Sequence, residues 1–181
     1  QRQTLIVDTG SRLMAFPCTP CFGCGNHTAP SYFDPALSST NIQNTCETCK
    51  IYSSICLADK CEFVQRYAEG SSLAAYEMED IVWLGSDDLM DSIEQHMQFS
   101  VPFSFGCLTS EEGLFKTQYA DGIMGLAKSQ ISFIHEMYNS GSILHHAFSI
   151  CMSRYGGYFS IGGTPFSYPE RFPTYRNVQF W

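Results

Sequence analysis

The sequence predicts an all-β protein with one or two short helices. Apolar runs of strand length alternate with turn signals along its 181 residues, and only one segment shows convincing helical spacing. The longest hairpin signal has Glu69-Gly70-Ser71 at its turn, with strands expected at Glu62–Tyr67 and Ala74–Leu84. No internal repeat or linker interrupts the chain, which is long enough for one domain with a sizeable core.

The other elements are predicted in chain order. Ser132–Asn139 is the helix candidate, with Ser129 as a potential cap and Gly141 just past its end. The acidic segment 86–97 is expected to be a solvated loop rather than a calcium site. Pro, Ser, Asn and Gly recur throughout residues 18–61, which therefore predict a loop region held by disulfides. Further strands are expected at 3–7, 13–16, 99–106, 123–126, 147–152 and 157–161.

Composition narrows the functional classes. The formal charge of -8 at pH 7 and the sequence pI near 4.9 argue against a nucleic-acid partner. No run of eighteen apolar residues exists, so the sequence predicts no membrane span. Gln1 is a poor natural start, so we expect a processed or trimmed chain. A membrane anchor beyond Trp181 therefore stays open.

Nine cysteines are far above cytosolic usage. Together with the glycosylation sequon Asn26-His27-Thr28 they favour the secretory pathway. Because nine is odd, at least one cysteine is free or pairs outside the chain. The alternative is a zinc site, since two pairs have ligand spacing, although the five histidines show none. The disulfide candidates are Cys18, Cys21, Cys24, Cys46, Cys49, Cys56, Cys61, Cys107 and Cys151.

The chemistry-bearing motif is Asp8-Thr9-Gly10-Ser11, which follows the apolar run Leu5-Ile6-Val7. This pattern predicts a buried strand that enters a tight turn with a carboxylate at its tip. Asp-Thr-Gly also occurs as an ordinary strand-to-turn signal, because Gly supplies a positive φ and Asp bonds its own backbone. The motif therefore needs context before it indicates a function.

Several segments supply that context in one fixed order. The hairpin with Tyr67 before its turn is followed by Phe105-Gly106-Cys107, then by Asp121-Gly122-Ile123-Met124-Gly125-Leu126-Ala127, then by Phe159-Ser160-Ile161-Gly162-Gly163. This order resembles the N-terminal lobe of a pepsin-like aspartic protease along nearly the whole chain. The run from Phe16-Pro17-Cys18 to Cys61 resembles the cysteine-rich insert of nepenthesin-type and plasmepsin V-type enzymes.

The resemblance implies roles for particular residues. Asp8 would be one of two catalytic aspartates, and Thr9, Gly10 and Ser11 would hold its carboxylate in place. Tyr67 would be the flap tyrosine, with the flap and substrate-binding segment made of Tyr67, Ala68, Glu69, Gly70 and Ser71. Asp121 and Gly122 would support the floor of the site. The fold implied is a partial double-psi-like barrel with a disulfide-rich insert at 18–61.

The same resemblance implies partners. Residues 1–181 correspond to an N-terminal lobe without its first hairpin, and the second aspartate would lie in a C-terminal lobe. The substrate would be a polypeptide, and no cofactor or metal is implied. Ala15 stands where pepsins carry a Trp that bonds the flap tyrosine. Disulfides are favoured over zinc, and we expect Cys107 and Cys151 to be bonded to each other.

Two alternatives to a two-lobed protease stay open. The first is a non-catalytic binding or structural module that keeps the lobe fold and has lost the chemistry. The second is a symmetric homodimer in which two copies of Asp8 meet, although the insert and the long chain argue against it.

Overall fold

The computed structural model describes residues 1–51, 53–85 and 97–163. Two compact units divide them. The first comprises residues 1–82 and 102–132, and the described residues of the second are 83–85, 97–101 and 133–163. Strands dominate both units, which confirms the predicted fold class. None of the helices in these ranges is long and apolar enough to cross a bilayer. The acidic segment predicted at 86–97 lies, apart from Met97, outside the described residues.

Eight strands form one mixed sheet, in the order β1-β8-β2-β7-β6-β5-β4, and β3 pairs with β6. Strand β1 runs parallel to β8, whereas β2 is antiparallel to β8 and parallel to β7. The strands are β1 Leu5–Asp8, β2 Met14–Pro17, β3 Ile42–Gln43, β4 Ile55–Leu57, β5 Lys60–Arg66, β6 Ser72–Val82, β7 Val101–Glu112 and β8 Gly122–Gly125.

Strand β1 exists as predicted, but its expected burial is wrong. Among the described residues it pairs with β8, at one end of the sheet. Ile6 and Val7 consequently expose 40% and 37% of their surface. An apolar run alone does not distinguish a central strand from an edge strand, because both use β-branched residues.

Strands β2 and β8 are buried on both faces of this sheet, and one core cluster of the first unit packs around β2, β5 and β6. Strand β5 shows the alternation that a half-buried strand requires: Cys61 and Phe63 point inward, and Val64 is exposed. Gly106 on β7 leaves room for the Phe63 ring, since a Cβ there would come within 2.7 Å of it. The core cluster comprises Leu13, Ala15, Ile51, Phe63, Leu73, Ala75, Leu108, Phe115 and Ile123.

Residues 18–61 are more regular than the sequence predicts. Strands β3 and β4 lie inside this segment, and β5 begins there at Lys60. A short 3-10 turn covers Pro35–Leu37, where the Ala36 N–H donates to the Asp34 side chain over 3.0 Å. Strands of two and three residues carry too little periodicity to be detected in a sequence.

Four disulfides hold the first unit together: Cys18–Cys107, Cys21–Cys24, Cys46–Cys56 and Cys49–Cys61. The predicted Cys107–Cys151 bond is therefore wrong. In the parallel pairing of β2 with β7, Phe16 lies beside Cys107, so Cys18 follows close by with a Cα–Cα distance of 5.3 Å. Cys151 is free and exposed.

These pairings also decide against the zinc alternative. Both pairs with ligand spacing, Cys18 with Cys21 and Cys46 with Cys49, have all their sulfurs in disulfides, and a disulfide sulfur is not a thiolate ligand. Among the described residues, the group of potential ligands lying close together is Cys49, Cys61 and Glu77. Two of its members are bonded to each other.

Thiol labelling checks the cysteine assignment. The native, unreduced protein is expected to take up one equivalent of a maleimide, and peptide mapping should place the label on Cys151, since this thiol is exposed and unpaired. The unreduced digest should contain a peptide pair that joins Cys18 to Cys107. Label on Cys107, or a Cys107–Cys151 peptide pair, would contradict the structure.

The described residues of the second unit include a helix and a hairpin. Helix α1 covers Phe133–Asn139, and Gly141 follows its end with φ +77°, as predicted. Ser129 does not cap the helix; its hydroxyl accepts from the Ile131 N–H in the turn before. Strands β9 Phe148–Ser153 and β10 Gly156–Ile161 pair antiparallel, close to the predicted bounds. Both strands carry exposed apolar side chains, among them Met152 and Tyr158.

Candidate active site

Asp8 stands at the end of β1, where the chain turns away from the sheet. Its carboxylate Oδ1 accepts a hydrogen bond from the Gly10 N–H over 2.9 Å. Its own carbonyl accepts from the Leu126 N–H over 2.7 Å, and the Ser11 carbonyl accepts from the Ala127 N–H over 2.9 Å. The turn is thus fixed to the segment after β8 by backbone bonds, while the half-buried Asp8 keeps solvent access.

Two glycines make this close approach feasible. A Cβ on Gly10 would lie 3.2 Å from Asp8 Oδ1. Gly125, opposite Asp8 in the β1–β8 register, is more restricted: a Cβ there would lie 2.6 Å from the backbone nitrogen of Leu13. Any side chain at Gly125 would push the turn after Asp8 away from β8.

Asp121 anchors the other end of β1. Its Oδ2 accepts from both the backbone N–H and the hydroxyl of Thr4 over 2.6 Å, and its Oδ1 accepts from the Ala29 N–H over 2.7 Å. Its side chain is buried, with a residue exposure of 2%. Gly122 packs against β2, where a Cβ would lie 2.1 Å from the Ala15 carbonyl. Both oxygens of Asp121 are occupied, which suits a supporting residue better than a reacting acid.

Tyr67 begins the turn between β5 and β6. The Tyr67 N–H donates to the Ser71 carbonyl over 2.9 Å, and the Gly70 N–H donates to the Tyr67 carbonyl over 3.0 Å. Ala68, Glu69 and Gly70 form the exposed tip, where Gly70 has φ +97°. Ser71 is buried instead, and its hydroxyl accepts from the Leu114 N–H over 2.9 Å.

The Tyr67 side chain turns toward residues 8–11, the turn that carries Asp8 and is called the aspartate loop below. Its ring meets Phe115 edge-on at a centroid distance of 5.0 Å and packs against the core cluster. Burial raises the pKa of the Tyr67 phenol to about 12, with the charges of Asp8 and Glu69 adding to the rise and the Ser11 hydroxyl opposing it. The structure therefore brings Tyr67, Ser11 and Asp8 into one neighbourhood.

The phenol oxygen of Tyr67 and the hydroxyl oxygen of Ser11 are both buried. The Ser11 hydroxyl lies near enough to influence the phenol, yet no hydrogen bond of normal geometry joins the two groups, and neither has another partner in the described structure. A buried hydroxyl without a partner costs free energy. Both hydroxyls can therefore still accept or donate a hydrogen bond.

Two buried carboxylates that the sequence did not single out hold the cysteine-rich segment. Glu77 on β6 is fully buried and accepts from Asn44, Lys50, Ile51 and Ser54. Glu111 on β7 contacts His27 Nε2 and the Gly25 N–H, each over 2.9 Å. Strand alternation alone gave no signal for either, because a charged residue in a strand is normally assigned to the outer face.

The sequon lies beside the second of these anchors. Asn26 is exposed, whereas the His27 side chain is buried against Glu111 and the Thr28 hydroxyl donates to the Tyr119 carbonyl over 2.7 Å. A glycan on Asn26 would point to solvent. Glycosylation at this position remains a prediction.

Comparison with known proteins agrees with this geometry. Residues 1–163 match the family described as Xylanase inhibitor N-terminal (TAXi_N). Plasmepsin V of Plasmodium falciparum is 33% identical over 168 residues, which cover 90% of this chain and 27% of that protein. Aspartic protease 5 of Toxoplasma gondii is 32% identical over 90% of this chain and 18% of its own length. An aspartyl protease family protein of Arabidopsis thaliana is 26% identical over 93% of this chain and 35% of its own length.

These relatives are much longer than the matched region, so the chain spans about a quarter or less of the plasmepsin V and Toxoplasma proteins. The family model nevertheless covers most of the chain, and the mixed sheet with its four disulfides is consistent with a pepsin-like lobe. The chain therefore belongs to the Xylanase inhibitor N-terminal family, the N-terminal domain of pepsin-like aspartic proteases.

Proposed function

We propose that this chain supplies half of the active site of an aspartic endopeptidase. The observation that carries the proposal is the Asp8 carboxylate, held at the end of β1 by the Gly10 N–H beside the Tyr67 hairpin. The names of the related proteins, plasmepsin V and aspartic protease 5, support the same class.

Peptide hydrolysis without a covalent intermediate needs a base that activates water and an acid that protonates the leaving nitrogen. Two carboxylates that share one proton perform both tasks, because like charges roughly 3 Å apart cannot both ionise. Asp8 is one member of this pair. The other member is a carboxylate from a C-terminal lobe, which lies outside these 181 residues. Thr9, Gly10 and Ser11 keep the Asp8 carboxylate in one orientation.

The β5–β6 hairpin serves as a flap over an extended polypeptide. Tyr67 anchors it, since its ring packs on Phe115 while the exposed Ala68–Gly70 tip extends beyond. Closure over the peptide excludes water from the scissile bond. The unpaired hydroxyls of Tyr67 and Ser11 mark where the flap meets the aspartate loop.

A second observation supports the proposal that a partner lobe covers this chain. Hairpin β9–β10 exposes Met152 by 80%, Tyr155 by 93% and Tyr158 by 65%. A two-stranded hairpin with exposed apolar side chains is marginally stable by itself in water, so a covering partner would stabilise it. Four disulfides and the sequon favour maturation in the secretory pathway, and any membrane anchor would lie outside this chain.

Isolation of the protein from its native source tests the proposal. Intact mass and peptide mapping without reduction should find a second Asp-Thr-Gly or Asp-Ser-Gly lobe, either in the same polypeptide or in a co-purifying chain. That material should cleave polypeptides in a pepstatin-sensitive manner. A complete protein of 181 residues without such a lobe and without proteolysis would contradict the proposal.

The family name favours one further candidate function. Because the matching family is described as Xylanase inhibitor N-terminal, the lobe would also suit a non-catalytic module that binds another protein. A substitution of Asp8 distinguishes the two candidate functions. A binding module keeps its affinity for its partner when Asp8 is replaced, whereas a protease loses turnover.

The phenol of Tyr67 gives a test of the flap that needs no substrate. Its folded-state pKa is about 12 against the ordinary value of 10, so folding favours the protonated phenol. The stabilisation is complete below pH 10 and is lost as the pH rises through 12. Tyr67→Phe should remove one late-titrating tyrosine from the tyrosinate absorbance curve. An unchanged late phase would show that Tyr67 is not buried, and Tyr155→Phe is the exposed control.

A further inference from the structure

The four disulfides close loops of very different length. Their sequence separations are 89 for Cys18–Cys107, 12 for Cys49–Cys61, 10 for Cys46–Cys56 and 3 for Cys21–Cys24. Because a disulfide stabilises the folded state mainly by restricting the unfolded chain, the stabilisation grows with loop length. Cys21–Cys24 therefore adds least to stability, and opening it costs the fold least.

The Cys21–Cys24 loop is also held without its disulfide. The Phe22 N–H donates to the Thr109 carbonyl over 3.1 Å. The Gly25 N–H donates to Glu111 over 2.9 Å, and the Gly25 carbonyl accepts from the Tyr32 hydroxyl over 2.9 Å. These contacts lie directly after each cysteine. They keep the backbone of the reduced loop near the bonded form, in which the two cysteine Cα atoms are 5.8 Å apart.

The surroundings of the loop suit thiol chemistry. Cys24 packs against the core cluster, whereas Phe22 between the cysteines is 80% exposed. The ammonium Nζ of Lys116 lies 3.9 Å from the position of a Cβ on Gly23, and the Lys116 carbonyl lies against Gly25. A neighbouring ammonium and a Cys-x-x-Cys arrangement both favour the thiolate form.

We propose that Cys21–Cys24 is a redox-active disulfide that exchanges reversibly with thiol reductants, while the other three bonds are structural. A thiolate RS⁻ attacks Cys21 Sγ, which forms a Cys21–S–S–R bond, breaks the Cys21–Cys24 bond and leaves the electron pair on Cys24 Sγ. A second RS⁻ attacks the R sulfur, which releases Cys21 as a thiolate and forms RSSR. The protein gains two electrons and, on protonation, two protons; the thiols lose them.

Equilibration of the native protein in glutathione buffers of graded GSH²/GSSG ratio tests this inference. The free thiol of Cys151 is first blocked, and each mixture is then quenched with acid, alkylated and mapped by mass spectrometry. Because this bond adds least to stability and the Lys116 ammonium favours its thiolates, Cys21–Cys24 should open with the fold intact at a ratio several-fold lower than Cys46–Cys56 and Cys18–Cys107. Return to oxidised glutathione should restore it.

Cys46–Cys56 is the internal comparison, because Cys56 is exposed on β4. If Cys46–Cys56 opens before or together with Cys21–Cys24, accessibility decides the order and the proposal is overturned. The proposal is also overturned if Cys21–Cys24 stays oxidised until the whole protein unfolds. Circular dichroism of the same samples follows the unfolding.

A pair of lysine variants tests the role of the ammonium without disturbing any cysteine. Lys116→Met should make Cys21–Cys24 several-fold harder to reduce, because the thiolates lose a neighbouring positive charge. Lys128→Met, at an exposed lysine of the same unit, should leave the ratio unchanged. Equal effects of both variants would overturn the part assigned to Lys116.

Discussion

Replacing Asp8 with Asn is expected to lower proteolysis by the proposed two-lobed protease by roughly 10³-fold or more, which is the upper part of the range for a general acid–base group. An amide can neither accept the proton of the attacking water nor share a proton with the second carboxylate. Its oxygen still accepts the Gly10 N–H that Asp8 Oδ1 accepts in the structure. The fold should therefore persist while turnover disappears.

The matched control is Asp59→Asn, which makes the same chemical change at an exposed turn. Asp59 joins β4 to β5 with φ +62°, a conformation that Asn adopts readily. Rates of cleavage of a polypeptide substrate, circular dichroism and urea unfolding are measured for both variants. Substantial pepstatin-sensitive cleavage by folded Asp8→Asn would refute the catalytic assignment. Loss of activity in both variants would show that the assay reports folding instead.

The aspartate loop was predictable because its signals are local. A strand-forming run followed by Asp-Thr-Gly specifies a turn through the conformational freedom of glycine and the short side chain of aspartate. The β5–β6 hairpin was predictable for the same reason, since its two strands flank a glycine turn. Local signals do not reveal that β1 lies at the end of the sheet. This position depends on its pairing with β8, which is more than a hundred residues away in the sequence.

The error at Cys107 has the same origin. Spacing along the chain does not reveal which cysteines meet, because many connectivities satisfy one set of positions. The structure pairs Cys107 with Cys18 through the parallel register of β2 and β7, a contact across 89 residues. Cys151 stands on β9 in the other unit, where, in the described part of the chain, its strand pairs with β10. Sheet order, rather than residue type, selected the partner.

The buried carboxylates were missed because half of their partners are backbone groups. Glu77 lies in a strand, where a charged residue is ordinarily placed on the solvent face. Its burial becomes favourable only when a distant segment presents several donors to it, and two of the four donors are backbone N–H groups of Lys50 and Ile51. Backbone donors carry no residue signature. Such a site becomes visible only in three dimensions.

Replacement of Glu77 by Gln is expected to lower the free energy of unfolding by about 2–4 kcal/mol, the cost of leaving buried hydrogen-bonding groups unsatisfied. Oε2 accepts from the Asn44 amide over 3.2 Å and from the Lys50 N–H over 2.8 Å. Oε1 accepts from the Ile51 N–H over 3.1 Å and from the Ser54 hydroxyl. In glutamine one oxygen becomes an NH₂ group, so two of these donors would face another donor inside the protein.

Glu79→Gln is the matched control, two residues further along β6. Its carboxylate pairs with Lys50 Nζ, but the two side chains are 21% and 52% exposed, and a surface ion pair of this kind contributes less than about 1 kcal/mol. Urea unfolding of both variants, with all four disulfides intact, measures the difference. Equal losses in the two variants would show that Glu77 is not the anchor of the cysteine-rich segment. A large loss at Glu77 alone would show that this segment is held to β6 by one buried carboxylate as well as by its disulfides.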